Sequence, residues 1–200
     1  MKGFTLWFTG LPCSGKSTLA RQVEGILLER AVNVEVLDGD EVRENLSKGL
    51  TFSREDRDIN IRRIGWVAKL LSRNGAVCIC AAISPYRAIR REVREWHDRF
   101  IEVYLKAPID CLVDRDVKGM YKKALAGEIK NFTGVSDPYE EPENAEVVIE
   151  TDKDTVEQSV DRIIRTLELI DYIPKGEAEG DYSEEVEPKI KARLKDLGYI

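Results

Sequence analysis

Gly10 and Gly15 bracket four residues and are followed at once by Lys16 and Ser17, the spacing G-x-x-x-x-G-K-S. The chemistry that needs these residue types at this spacing is polyphosphate binding. Backbone N–H groups must point inward at phosphate oxygens, and side chains at Gly10 and Gly15 would obstruct them. Lys16 then reaches the β- and γ-phosphates, and Ser17 offers a hydroxyl to Mg²⁺. Cys13, Ser14 and Thr18 fill out the run that wraps the phosphates. ATP or GTP is the expected ligand class.

Asp38-Gly39-Asp40 places two carboxylates at the carboxyl end of an expected strand, where ligands bind in open α/β sheets. The alternative is a capped turn into residues 41–46. The third apolar run, Ala76 to Ile83, holds no Asp or Glu. The magnesium carboxylate often found on a neighbouring strand is therefore missing there, and Asp38 and Asp40 are the nearest candidates. Arg57, Asn60 and Arg63 recur at i, i+3, i+6, roughly one helix face, and forked guanidinium donors suit a diffuse anion. A solvated charged face is the other reading. Arg87, Arg90, Arg91 and Arg94 interleave with Glu92, Glu95 and Asp98 and read largely as salt-bridged surface.

The elements that must position these residues alternate. Phe4 with Leu6 to Thr9 is a buried strand, and a helical period follows from Leu19 to Arg30. Val34 to Leu37, Ala76 to Ile83, Phe100 to Leu105 and Ala145 to Ile149 are further strands. Ser53-Arg54-Glu55-Asp56 has capping-box spacing ahead of a helix ending near Asn74-Gly75. Pro108 opens another helix at its first position, and Val156 to Ile170 is amphipathic. The expected fold is α/β: a parallel five-stranded sheet with helices on both faces, in the P-loop, nucleotide-kinase-like class.

Residues 118–135 are basic and glycine-punctuated, with single aromatics and little periodicity, which suits a mobile lid over phosphates better than a core. Residues 1–173 form the expected kinase domain. Residues 174–200 are expected to be an acidic linker to about Pro188 and a short helix carrying Ile190, Leu194 and Leu197. A chain ending after Ile173 should then fold and melt only a few degrees lower, a loss of roughly 1 kcal/mol.

With 200 residues and 42% apolar content, one core is enough. A net charge of −6 excludes a generally basic nucleic-acid footprint, so no nucleic-acid partner is expected. No apolar run reaches the ~18 residues of a membrane span, and the short stretch before the first strand leaves no room for a leader. Four cysteines without C-x-x-C spacing suit a reducing, cytoplasmic setting, with Cys78 and Cys80 as core thiols. Cys13 is either a small loop filler or a thiol whose pKa the phosphate loop lowers. The guanine-reading N-K-x-D string is absent, and the lysine-rich lid favours phosphoryl transfer to a small molecule.

These strings together resemble the adenylylsulfate kinase family. The resemblance rests on Gly10 to Thr18, Leu37 to Asp40 with Arg43, Phe52-Ser53 with Asp56-Arg57 and Asn60 to Arg63, Ile83 to Arg87, and Lys118 to Ala124 with Gly127 to Gly134. It covers roughly residues 3–172. It implies ATP-dependent phosphorylation of the 3′-hydroxyl of adenylyl sulfate, with Mg²⁺ as cofactor. The resemblance further implies that Arg43, Arg57 and Asn60 hold phosphosulfate or ribose, while Phe52 and Phe132 sandwich the substrate adenine. Ile83, Ser84, Lys118 and Asn131 would line that site, and Arg115 would lie near the ATP adenine. Asp40 would orient or deprotonate the acceptor hydroxyl and, with Ser17 and Asp38, meet magnesium. The family's serine at Ser84 has been regarded as a phosphoenzyme intermediate, although in-line transfer needs no relay. A homodimer is expected, and association with a sulfate adenylyltransferase is open.

Overall fold

The computed structural model describes residues 1–176 and 183–200. Phe4–Gly10 (β1) is buried at every position, as a strand covered on both faces must be. Val34–Asp38 (β2), Val77–Ala81 (β3), Phe100–Lys106 (β4) and Val147–Glu150 (β5) join it in a parallel sheet of order β2-β3-β1-β4-β5. The period-two alternation of β1 divides the core. Phe4, Leu6 and Phe8 face Lys16–Glu29 (α1) and Val156–Leu169 (α7), whereas Trp7 faces Arg54–Arg73 (α3) and Arg87–Glu95 (α4). Burying each such side chain contributes about 1.5–3 kcal/mol, so the two faces hold the strand ends in fixed register. Shorter helices, Gly39–Asn45 (α2), Ile109–Asp114 (α5) and Met120–Leu125 (α6), sit above those ends. No helix among the described residues is long and apolar enough to cross a membrane.

The expected helix starts shift slightly. Pro108 is the residue before α5, not its first residue. Ser53 caps α3 by accepting from the Asp56 N–H, but the Asp56 carboxylate turns to the Thr51 N–H and hydroxyl, and so the reciprocal half of the box is missing.

The lid segment has a core of its own. Tyr121 is fully buried and meets Phe132 edge-on at 4.9 Å, alongside Leu112 and Ala124. Asp116 accepts from the N–H groups of Met120 (2.9 Å), Tyr121 (2.6 Å) and Lys122 (3.2 Å), satisfying the orphan donors at the start of α6. The aromatics meet only because the chain folds back on itself, a contact that leaves no periodic trace.

The arginines of α4 are not an ordinary surface. Arg90 is 3% exposed and pairs with Glu102 of β4 at 2.9 Å, and Arg94 binds Glu146 with both oxygens at 2.7 and 2.8 Å. Surface ion pairs of the kind the charge pattern suggested do form at Arg87–Glu143 and, from α3, at Arg62–Glu92, both at 2.8 Å.

The C-terminal helix differs most. Ser183–Asp196 (α8) starts well before Ile190 and contains Pro188. Residues 177–182 of the expected linker lie outside the described residues. Leu194 is fully buried, Ile190 is 6% exposed, Arg193 donates twice to the Ala145 carbonyl, and the Tyr199 hydroxyl donates to Glu146 at 2.9 Å. A chain ending after Ile173 is therefore expected to fold but to melt roughly 6–12 °C lower, about 3 kcal/mol of lost burial and hydrogen bonding. A calorimetric shift of only a degree or two would restore the linker reading.

Candidate active site

The phosphate loop leaves β1 where packing is tightest. A Cβ at Gly10 would stand 2.5 Å from the Leu105 carbonyl and 2.8 Å from Ser14 Oγ, and Gly15 caps α1 in the left-handed region at φ 93°. Only glycine meets both demands without strain. Lys16 Nζ donates to the carbonyls of Gly10 (3.0 Å) and Leu11 (2.7 Å). Burial pushes its pKa down to about 8, and a phosphate arriving beside it would favour the charged form again. Ser17 and Thr18 stand exposed at the start of α1 and Ser14 is buried beneath them. Of the two readings of Cys13, the structure favours the loop filler over the lowered pKa. Burial first, then Asp116, whose Oδ1 lies 4.0 Å from its Sγ, push the thiol up, and this fits the loop-filler role.

Asp38-Gly39-Asp40 forms the capped turn, and both of its carboxylates line the cleft beside the phosphate loop. Asp38 caps α2 by accepting from the Asp40 N–H at 3.1 Å, and its other oxygen accepts from Ser17 Oγ at 2.5 Å. Asp40 points elsewhere, to Lys118 Nζ of the lid at 2.7 Å, and this bond raises the Lys118 pKa. One carboxylate thus stands beside the phosphate loop and the other beneath the lid. The backbone turn between them produces the separation.

On the acceptor side, Arg57 and Asn60 are buried on one face of α3, whereas Arg63 is exposed and donates to the Leu46 carbonyl. Arg57 donates to the Phe52 carbonyl at 2.9 Å, to Thr133 and to the Asn131 carbonyl, tying the lid to the start of α3. Asn60 Oδ1 is buried with no hydrogen-bond partner among the described residues. Such an atom costs free energy until a donor arrives. Phe132 is 8% exposed and fixed, while Phe52 is 57% exposed under the Arg43 guanidinium at 4.3 Å.

Ser84 sits at the end of β3 with φ 42° and is 1% exposed. The Thr9 hydroxyl donates to the Ile83 carbonyl at 2.8 Å, leaving Thr9 Oγ1 to accept from Ser84 at 3.0 Å. Trp7 Nε1 donates to Ser84 Oγ at 3.0 Å, and the Ala82 carbonyl at 3.3 Å is the alternative acceptor of its proton. The serine proton therefore points into the sheet, and its remaining lone pair is what it can offer to a ligand. Trp7 and Thr9 were not legible as site residues because they read as strand core.

Arg115 binds Thr151 through its hydroxyl (3.1 Å) and carbonyl (2.6 Å) at the far end of the phosphate loop. Thr151 and Thr155, from the β5–α7 connection, and Val156, the first residue of α7, line the same cleft and carried no motif. A single cleft of about 940 Å³ takes in Cys13 to Thr18, Asp38, Asp40, the acceptor-side residues and Arg115. Gly10 closes the base of the loop outside that lining. The cleft is large enough for a nucleotide and a nucleotide-sized acceptor.

The family described as adenylylsulphate kinase matches residues 2–150. The adenylyl-sulfate kinase of Rippkaea orientalis is 55% identical over 174 residues, covering 87% of this chain and 96% of that protein. A probable bifunctional SAT/APS kinase 2 of Sorangium cellulosum is 60% identical over 175 residues, 88% of this chain, which spans 30% of that longer protein. The structure of the Mycobacterium tuberculosis APS kinase CysC in complex with AMPPNP and APS superposes with a TM-score of 0.80 at 40% identity, covering 84% of this chain and 98% of that one. On these likenesses the chain belongs to the adenylyl-sulfate kinase family and is a phosphotransferase with a P-loop kinase fold.

Proposed function

We propose that this chain transfers the γ-phosphoryl group of ATP to the 3′-hydroxyl of adenylyl sulfate, giving 3′-phosphoadenylyl sulfate, in sulfate assimilation. The observation that carries the reading is the convergence, in one cleft, of a phosphate loop with Phe52, Phe132 and a buried Asn60 Oδ1 that has no hydrogen-bond partner among the described residues. An amide oxygen wanting a donor suits a ribose hydroxyl, and an aromatic pair suits a purine, with stacking worth ~1–3 kcal/mol.

ATP lies along Gly10 to Thr18 with its adenine toward Arg115. Ser17 Oγ and Asp38 Oδ2, 2.5 Å apart, are hard oxygen donors at the loop mouth and would hold Mg²⁺. An ion held by these two residues would supply charge neutralisation to the polyphosphate. Asp40 accepts the proton of the acceptor hydroxyl as the new P–O bond forms and the bond to the ADP oxygen breaks. Lys16 holds the charge spread over the transferring group. Arg43, Arg57, Ile83, Ser84, Lys118, Asn131 and Phe132 complete the acceptor site. Lid closure excludes water that would otherwise take the phosphoryl group.

Ser84 serves this reaction as an acceptor of a substrate hydrogen bond, not as a nucleophile, because its proton is committed to Thr9 or Ala82, neither of which is a base. Ser84→Ala is expected to keep kcat within about tenfold of the parent, the loss of one hydrogen bond of about 1 kcal/mol. A loss of a thousandfold, with labelled phosphoserine that chases into product, would establish the covalent route.

A cytoplasmic location is part of the reading, supported by four free thiols among the described residues. Assembly as a homodimer and association with a sulfate adenylyltransferase complete it, the latter supported by the bifunctional relative. An acceptor panel of adenylyl sulfate, adenosine, AMP and shikimate with labelled ATP tests the specificity. Turnover of adenylyl sulfate alone is the expected result, and preference for another acceptor would overturn it.

A further inference from the structure

Arg90 takes no part in the reaction as described above, yet its guanidinium spans two segments on which the acceptor site depends. Its Nε donates to Glu102 of β4 at 2.9 Å, one Nη donates to the Ser84 carbonyl at 2.5 Å, and the other donates to the Glu140 carbonyl at 2.6 Å. Ser84 is a non-glycine residue held in the left-handed region, which persists only where its surroundings over-determine it. Glu140 lies where the chain leaves the lid. Its N–H donates to the Pro85 carbonyl at 2.8 Å and its carboxylate accepts from the Arg87 N–H at 2.7 Å. Between the two segments, Tyr139 sits with its ring 5.7 Å from the Arg90 guanidinium, and with the Thr9 proton on Ile83 its hydroxyl donates to Thr9 at 2.8 Å.

We propose that Arg90 is a positioning residue for the phosphoryl acceptor: its planar fork locks the Ser84 floor to the segment leaving the lid, so that Phe132 and Asn131 close over the point at which Ser84 and Ile83 receive the substrate. This rests on the acceptor assignment above. Neutralising Glu102 would need only a positive charge, which a lysine supplies. Holding the Ser84 and Glu140 carbonyls together while pairing with Glu102 needs three donors in one plane, which a lysine lacks.

The test is Arg90→Lys, with the charge-neutral double variant Arg90→Gln with Glu102→Gln in case the single variant melts without cooperativity. Initial rates are measured against adenylyl sulfate and ATP separately, and amide hydrogen exchange is followed in residues 132–141 and 10–18. The expected result is a KM for adenylyl sulfate raised tenfold or more, a KM for ATP within twofold of the parent, and faster exchange in 132–141 alone. Equal changes in both KM values, or no change in either together with unaltered exchange in 132–141, would overturn the proposal and leave Arg90 as the counter-charge of Glu102. If the parent itself fails to phosphorylate adenylyl sulfate, the acceptor assignment falls, and the exchange comparison still decides whether Arg90 holds the lid exit.

Discussion

Lys16→Ala is expected to lower kcat by about a thousandfold or more while leaving the circular dichroism spectrum that of the parent. The lysine sits on the loop surface of the cleft and bonds only to carbonyls of its own loop and to Ser14, so its removal opens no cavity in either face of the sheet. What is lost is a fixed positive charge where negative charge grows on the transferring group. In a site that closes away from water, one such donor is commonly worth a hundred- to a thousandfold, and a full charge more. An arginine at the same position would carry the charge but not the compact geometry, and little rescue is expected from it. Turnover within about tenfold of the parent, in a protein with an unchanged spectrum, would remove Lys16 from the mechanism.

Asp40→Asn should show the complementary pattern, with kcat reduced by about a hundred- to ten-thousandfold and the Kd for ATP within about twofold of the parent. The reasoning turns on the separation of the two carboxylates. Asp38 is bonded to Ser17 beside the loop, whereas Asp40 reaches 2.7 Å to Lys118 beneath the lid. The amide retains size and the contact with Lys118 but cannot take a proton from a hydroxyl. Isothermal titration with a non-hydrolysable ATP analogue, beside steady-state rates, separates the two effects. Equal turnover would exclude Asp40 as the base, and loss of ATP affinity matching the loss in rate would move it to the nucleotide side.

Much of the architecture was legible because it follows period and punctuation. β1 and the loop after it are marked by an apolar run stopping at Gly10, and α3 by Ser53 before the stripe of Ile61, Ile64 and Ala68. The site residues carried by those elements came with them. Contacts between positions with no sequence relation were illegible. Tyr121 and Phe132 looked isolated and form the lid's core, and Arg90 looked like one more surface charge until β4 brought Glu102 beneath it. Thr9 read as a buried strand residue, although its hydroxyl orders the Ser84 proton. The early start of α8 was illegible because acidic composition up to Pro188 outweighed any helical spacing, and the burial of Ile190 and Leu194 depends on a patch beside Ala145 that sequence alone does not reveal.

The measurement that tests the central claim most directly is the fate of the γ-phosphoryl group of labelled ATP on adenylyl sulfate and on its 3′-deoxy analogue, with Mg²⁺ and the full chain. Direct transfer to the 3′-hydroxyl predicts label in the adenylyl sulfate product, released entirely by a 3′-nucleotidase, and none in the 3′-deoxy analogue. Label on the deoxy analogue, label resistant to the nucleotidase, or transfer to water alone would contradict it.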